Sequence, residues 1–209
     1  MTGTFITFEG GEGCGKSLQA RALVRRLDRM GLAVLPLHEP GGTRLGRAVS
    51  YWLKWDRAGH LPPLTELLLF NASRSLLVAD VIRPALTGGK VVICDRFADS
   101  TIAYQGYGRG LDLGSVRHTC DLATDGLRPD LTLLLDVPVE EGLRRKAQMR
   151  AQADRFEQET LGFHQRIRAG YLEMARNEPG RWIVIDGGQS KDTVRRDVWH
   201  HVSDLLART

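Results

Sequence analysis

The chain has 209 residues, 42% apolar and 26% charged, with a net charge of +4; this is ordinary for a globular domain and long enough for one substantial core. No apolar run approaches the roughly 20 residues of a membrane span, no basic-plus-apolar leader precedes the first strand pattern, and three cysteines, Cys14, Cys94 and Cys120, fit neither a disulfide framework nor a zinc site, which points to a reduced, cytoplasmic setting. Only five of the 29 basic residues are lysine, and the excess is spread out apart from a patch at Arg144-Arg145-Lys146, which suits polyphosphate ligands better than a nucleic-acid groove, so neither nucleic acid nor membrane is expected as a partner.

Strand and helix patterns alternate from the start. Residues 4–9 read as a buried strand, 17–30 as a helix ended by Gly31, and Ala33–Leu37 as a second strand before the loop Glu39-Pro40-Gly41-Gly42. A helix is predicted from about Leu45 to Trp55, then a Gly/Pro-rich link at 59–63. A long helical pattern over 64–87 should be kinked or ended by Pro84. Lys90–Asp95 reads as a third strand, 99–107 and 115–125 as short helices, and Leu131–Val137 as the apolar run of a central parallel strand. Residues 139–150 and 156–177 read as helices with a polar join, Arg181–Ile185 as a last strand, and 191–207 as a terminal helix. Five strands alternating with helices predict a single α/β domain over 1–209, its parallel sheet covered on both faces. Ligands of such sheets sit beyond the carboxyl ends of the strands, where the loops 10–17, 39–43 and 95–109 fall.

The first of these loops, Gly10-Gly11-Glu12-Gly13-Cys14-Gly15-Lys16-Ser17, fits Gly-x4-Gly-Lys-[Ser/Thr] between a strand and a helix, the context a phosphate loop requires. Glycines let successive N–H groups point at phosphate oxygens. Lys16 can reach the β- and γ-phosphates, and the Ser17 hydroxyl can hold Mg²⁺. Cys14 reads as a small spacer. Asp95-Arg96 ends the third strand: the aspartate can bind Mg²⁺ and the arginine can clamp a phosphate, or the two can be a surface pair. Phe70 and Arg74 lie i, i+4 on one helix face, either as core aromatic and solvated charge or as a platform that stacks on a base and bonds its carbonyl.

The set GGEGCGKS, EPGGT, LLFNASR, DRFADSTIAYQGYGRG, RPDLTLLLDV and DRFEQE resembles the bacterial thymidylate kinase family, from residue 4 to about 175. EPGG together with DR-x4-[ST]-x2-AYQG carries most of the specificity. The resemblance implies the nucleoside-monophosphate-kinase fold with sheet order 2-3-1-4-5. It also implies direct in-line transfer of the γ-phosphoryl group of ATP to dTMP with Mg²⁺, and a homodimer. For individual residues it implies donor-phosphate contacts from Gly10, Gly11, Glu12, Gly13, Cys14, Gly15, Lys16 and Ser17, and metal contacts from Ser17 and Asp95. Glu12 would face the deoxyribose 3′-hydroxyl and the metal. Phe70 would stack on thymine, Arg74 bond its carbonyl, Thr101 and Gln105 make polar base contacts, Tyr104 crowd the sugar 2′ position, and Arg96 hold the acceptor phosphate, with Glu39 in the substrate-binding set.

Two departures stand out. The family's acceptor-phosphate arginine falls on Ser50 here, and Arg47, or Arg44, is the expected substitute. The phosphate loop has no basic residue besides Lys16, so a mobile lid over about 144–155 is expected to supply the missing cation, with Arg150 the first choice and Arg145 and Arg155 the others. His38 reads as a spacer before Glu39. Alternatives are a kinase of deoxynucleosides or another monophosphate, a switch GTPase (whose Asn-Lys-x-Asp signature is absent), and a non-catalytic nucleotide- or nucleic-acid-binding module.

Overall fold

A computed structural model describes residues 3–55, 61–149 and 154–208. Strand β1 (Thr4–Glu9) is buried at every position, as a strand covered on both faces must be. It runs parallel to β3 (Val91–Asp95) on one side and to β4 (Leu131–Asp136) on the other. Strands β2 (Val34–His38) and β5 (Trp182–Asp186) complete the sheet at its edges, giving the order β2-β3-β1-β4-β5, as the family resemblance implies. Pro36 lies within β2, an edge strand, where its missing N–H costs no central ladder bond. The predicted strand and helix positions hold to within a residue or two, save three stretches.

Alternation along β1 sorts the core into two layers. Ile6 and Phe8 face helices α1 (Lys16–Arg29) and α9 (Lys191–Leu206), meeting Leu23, Leu27, Val194 and Val198. Phe5 faces the other side with Leu77, Ile82 and Phe97, while Leu134 meets Phe163, Ile167 and Tyr171 of α8 (Leu161–Asn177). The same face carries Thr7, whose hydroxyl pairs with Thr132 at 3.0 Å, and Glu9 at the strand's carboxyl end. The register sets Phe8 opposite Asp95 and Asp95 opposite His38, so the loops after β1, β2 and β3 open on one edge.

The three exceptions have local causes. Helix α3 (Pro63–Leu77) is not ended at Pro84; it widens into a π-helical segment, Val78–Ile82, and continues as α4, Arg83–Thr87. The wider turn comes before Pro84 and leaves that proline in the first turn of α4, where no N–H is needed. The expected short helix over 99–107 is α5 (Ala98–Thr101) followed by a second π-helical segment, Ile102–Gly108. The helix expected from 156 starts only at Leu161, capped by the Thr160 side chain. Asp154 turns the chain before it, accepting from the N–H groups of Phe156 and Glu157 at 3.0 and 3.1 Å. Helices α2 (Arg44–Trp55), α6 (Leu113–Thr124) and α7 (Val139–Met149) complete the framework.

Candidate active site

A cavity of about 1240 Å³ lies over the carboxyl edge of the sheet, larger than the roughly 300–1,000 Å³ of a single-ligand pocket. At one end is the phosphate loop. Gly10, Gly13 and Gly15 have φ of 138°, 65° and 97°, open to glycine and rarely to other residues. A Cβ on Gly13 would strike the carbonyl oxygen of Gly142 in α7, and one on Gly142 would strike that of Glu12 in the loop, so α7 and the loop are packed backbone to backbone. The Lys16 ammonium folds onto the carbonyls of Gly10 and Gly11 at 2.9 and 2.7 Å and onto Cys14 Sγ at 3.3 Å. Ser17 Oγ donates to Asp95 Oδ2, so the two oxygen groups expected to share a metal touch directly. They are hard ligands of the kind Mg²⁺ takes alongside phosphate oxygens.

Arg96 occupies the centre. Its φ of 72° is costly for a residue with a side chain and persists only when over-determined. The flanking bonds do this: Arg96 N–H donates to Phe8 O at 3.0 Å, and Phe97 N–H donates to Glu9 Oε1 at 2.8 Å. The guanidinium then donates to Glu12 Oε1 at 2.8 Å, Tyr104 OH at 2.9 Å and Gly10 O at 3.2 Å. Tyr104 OH donates to the same Glu12 oxygen at 2.7 Å. Burial alone would raise the Glu12 pKa, but Arg96, then Lys16 and Lys146, hold it well below the usual carboxylate range. Glu9, fully buried beneath Arg96, accepts from Ser100 Oγ at 2.6 Å and Tyr171 OH at 2.9 Å. Burial, with the nearby charge of Asp99, pushes its carboxyl from 4.5 up to about 7 against the pull of Ser100, Arg96 and Phe97 N–H. A charged residue closing an otherwise apolar strand was the signal in the sequence that could have singled it out.

The far end is lined by Phe70, Arg74, Thr101, Tyr104, Gln105 and Phe156. Spacings of four residues keep Ser100 with Tyr104, and Thr101 with Gln105, on the cavity side through the π-helical segment. Phe70 stands 6.0 Å from Phe156 and Tyr104 5.9 Å from it, centroid to centroid. Arg74 is 1% exposed. It donates to Glu39 Oε2 at 2.8 Å, Asn71 Oδ1 at 3.1 Å, Phe97 O at 3.2 Å and Thr101 Oγ1 at 2.9 Å. Of the five guanidinium N–H groups one remains over. Arg74 is thus the buried floor of this end rather than a solvated charge, and burial pushes the Glu39 carboxyl up while Arg74 pulls it down. Gln105 Nε2 donates to Glu66 Oε2 at 3.1 Å, while its Oε1 is buried without a partner.

The cations at the centre differ from those expected. Arg47, expected at the acceptor phosphate, is exposed like Arg44 and does not line the cavity, whereas Lys54 of the same helix does. Arg47 lies toward the outer, N-terminal half of α2. The C-terminal end is drawn inward by the buried Leu53 and by Arg155, whose N–H donates to Lys54 O at 3.2 Å and whose Nε donates to Leu53 O at 2.9 Å. Burial lowers the Lys54 pKa, with the Asp154 charge opposing. Arg150 lies outside the described residues. Arg155 is bound to α2 as above and pairs with Glu66 Oε1 at 3.1 Å. Arg145 lines the cavity, paired with Glu141 at 2.6 Å and donating to Gly187 O at 2.9 Å. Its neighbour Lys146 reaches Glu12 Oε2 at 3.5 Å and Glu157 Oε1 at 3.1 Å. Lys54 stands one helical turn beyond Ser50, a spacing readable in the sequence; Lys146 was visible only as part of a basic patch.

Comparison with known proteins converges on one family. The family model described as thymidylate kinase matches residues 8–198. The thymidylate kinase of Dehalococcoides mccartyi is 51% identical over 202 residues, covering 97% of this chain and 96% of the relative. That of Thermomicrobium roseum is 49% identical over 204 residues, covering 98% and 96%. The crystal structure of thymidylate kinase from Ehrlichia chaffeensis superposes with a TM-score of 0.78 at 35% identity, covering 97% of this chain and 99% of that one. With this fold, this loop and relatives matched along nearly its whole length, the chain belongs to the thymidylate kinase family.

Proposed function

We propose that the cavity holds ATP and dTMP with their phosphates facing, the phosphate loop on the donor and the Phe70–Arg74–Gln105 wall on the acceptor base. The reaction is that of the family: ATP phosphorylates dTMP to dTDP. The observation that carries this placement is one cavity with a phosphate loop at one end, an aromatic and amide-lined wall at the other, and cations between. Two polyanions brought together repel; a pair of unit charges about 4 Å apart interacts by ~4 kcal/mol at an effective dielectric near 20. Lys16, Arg96, Lys54 and Lys146 offset that repulsion. Lys16 leaves the loop carbonyls for the donor phosphates, Arg96 holds the acceptor phosphate, and Lys54 takes the place first given to Arg47. No general base is needed, since the nucleophile is already a phosphate oxygen. Mg²⁺ held by Ser17 and Asp95 would neutralise phosphate charge. Glu12, kept ionised by Arg96, Lys16 and Lys146, orients Arg96 and Tyr104 against the acceptor sugar and phosphate. Closure of the 144–155 segment excludes water and brings in a further arginine.

A cytoplasmic homodimer completes the proposal. Tyr51, Trp52, Leu64 and Leu68 are exposed on α2 and α3, which pack against each other and offer a second copy an apolar face; the three free thiols fit a reducing compartment. The testing experiment is an ADP-release assay with ATP, Mg²⁺ and a panel of nucleoside monophosphates. Turnover with dTMP far above that with purine monophosphates is the expected result; equal turnover across the panel would defeat the base-wall assignment.

A further inference from the structure

Glu66 sits in the first turn of α3, within the largely apolar stretch Leu64–Phe70, yet is 1% exposed. A carboxylate in that position is costly unless paired, and it is paired three ways. Arg109 grips it with Nε at 3.3 Å from Oε2 and NH2 at 3.1 Å from Oε1. Arg155 NH2 lies 3.1 Å from Oε1, and Gln105 Nε2 donates to Oε2 at 3.1 Å. The third contact reaches the base wall. A carboxylate only accepts hydrogen bonds, so the Gln105 amide must turn its NH₂ toward Glu66. Its carbonyl oxygen is then the atom left over, and it is buried without a partner in a side chain that lines the cavity. An unpaired buried acceptor of this kind favours a ligand that brings a donor and penalises one that brings a lone pair.

We infer that Glu66 is a positioning residue for base selection: by fixing the Gln105 amide it presents a carbonyl acceptor on the cavity wall that Arg74 also lines, and the two together read an imide edge, N–H next to C=O. The inference rests on the proposed placement of the dTMP base against this wall. Thymine and uracil carry that edge. Cytosine carries a ring nitrogen lone pair and an exocyclic NH₂, the reverse of both features. Arg109 and Arg155 hold the carboxylate in place, so the amide cannot rotate without losing an acceptor supported by two guanidinium groups. The amide orientation is a property of α3 and its partners rather than of Gln105 alone.

The test compares kcat/KM for dTMP, dUMP and dCMP in the wild-type enzyme, Glu66→Gln, Gln105→Met and the double variant. A glutamine at 66 can donate as well as accept and frees the Gln105 amide to flip. The preference for dTMP over dCMP is expected to fall by about tenfold in Glu66→Gln, in keeping with one buried hydrogen bond. It should fall comparably in Gln105→Met and no further in the double variant, with the KM for ATP held within about twofold. The dTMP to dUMP ratio, which does not involve that edge, should not move. If Glu66→Gln does not fold, Glu66→Asp keeps the charge against both arginines, withdraws the carboxylate by one methylene and should give the same loss of selectivity. A residue that only supports the fold would lower all three substrates together, and an unchanged dTMP to dCMP ratio in the variants overturns the inference. That failure is distinct from failure of the proposed function, in which the wild-type enzyme itself would show no preference for dTMP.

Discussion

Lys54 gives the sharpest test of how the acceptor phosphate is held. Replacing it with methionine removes the charge while keeping most of the length and the apolar stem. A charge-assisted hydrogen bond to a phosphate contributes about 1.5–3 kcal/mol, which corresponds to about 10–150-fold in kcat/KM for dTMP. Lys54 is half-buried in the cavity wall, so solvent screens it less than a surface lysine, and the upper part of that range is expected. Burial lowers the Lys54 pKa, so the ammonium is under-solvated until an anion arrives. Its removal should therefore leave the free protein at least as stable as before. Steady-state kinetics with dTMP varied at saturating ATP, beside thermal melts of the free and dTMP-bound protein, separate these effects. The expected pattern is a large rise in KM for dTMP, little change in KM for ATP, an unchanged or higher Tm without ligand, and a smaller Tm rise on adding dTMP. Lys54→Arg should recover most of the loss, and Arg47→Ala should have almost none. A dTMP KM in Lys54→Met within twofold of wild type, or a loss in Arg47→Ala instead, would refute the reasoning.

Lys16→Ala should lower turnover by at least about a thousandfold, with circular dichroism and Tm near wild type; wild-type-like turnover would remove the phosphate loop from the mechanism. Glu9 carries a pH signature. Its folded-state value of about 7 lies above the ordinary 4.5, so the folded protein holds the proton more tightly. The stability this contributes is complete below about pH 4.5 and disappears as the pH rises through about 7. Urea unfolding of wild type and Glu9→Gln at pH 5 and pH 8 should show the difference between them shifting toward the variant by up to about 3 kcal/mol at the higher pH; parallel profiles would remove Glu9 as the source. Arg155→Ala should reduce kcat through loss of the contacts to Leu53, Lys54 and Glu66, and should raise the KM for dTMP together with it. A fall in kcat alone, with dTMP affinity intact, would instead make Arg155 the lid cation.

Much of the frame could be read from the residues. Phe5–Phe8 and Leu131–Leu135 declare buried parallel strands because both faces are covered, so no polar alternation interrupts them. The phosphate loop is legible because its chemistry is local: three glycines with positive φ, a lysine and a serine within eight residues. Arg96 and Asp95 follow from their place at a strand end. The residues that escaped are those whose roles exist only after folding. Lys54 and Arg47 share a helix face, and nothing in their spacing says which end of α2 meets the cavity; Arg155, a hundred residues away, decides it. Glu66 reads as a stray charge in an apolar helix until Arg109, Arg155 and Gln105 close around it. The π-helical segments were missed because a one-residue change of helical phase leaves the apolar pattern nearly intact.

A crystal structure with dTMP, Mg²⁺ and a non-hydrolysable ATP analogue bound together tests the arrangement most directly. The account predicts thymine against Phe70 with its imide edge toward Arg74 and Gln105, the dTMP phosphate between Arg96 and Lys54, and the analogue's terminal phosphate on Lys16 in line with it. Thymine lodged at the Arg145–Gly187 end, or a dTMP phosphate out of reach of Arg96, would contradict it.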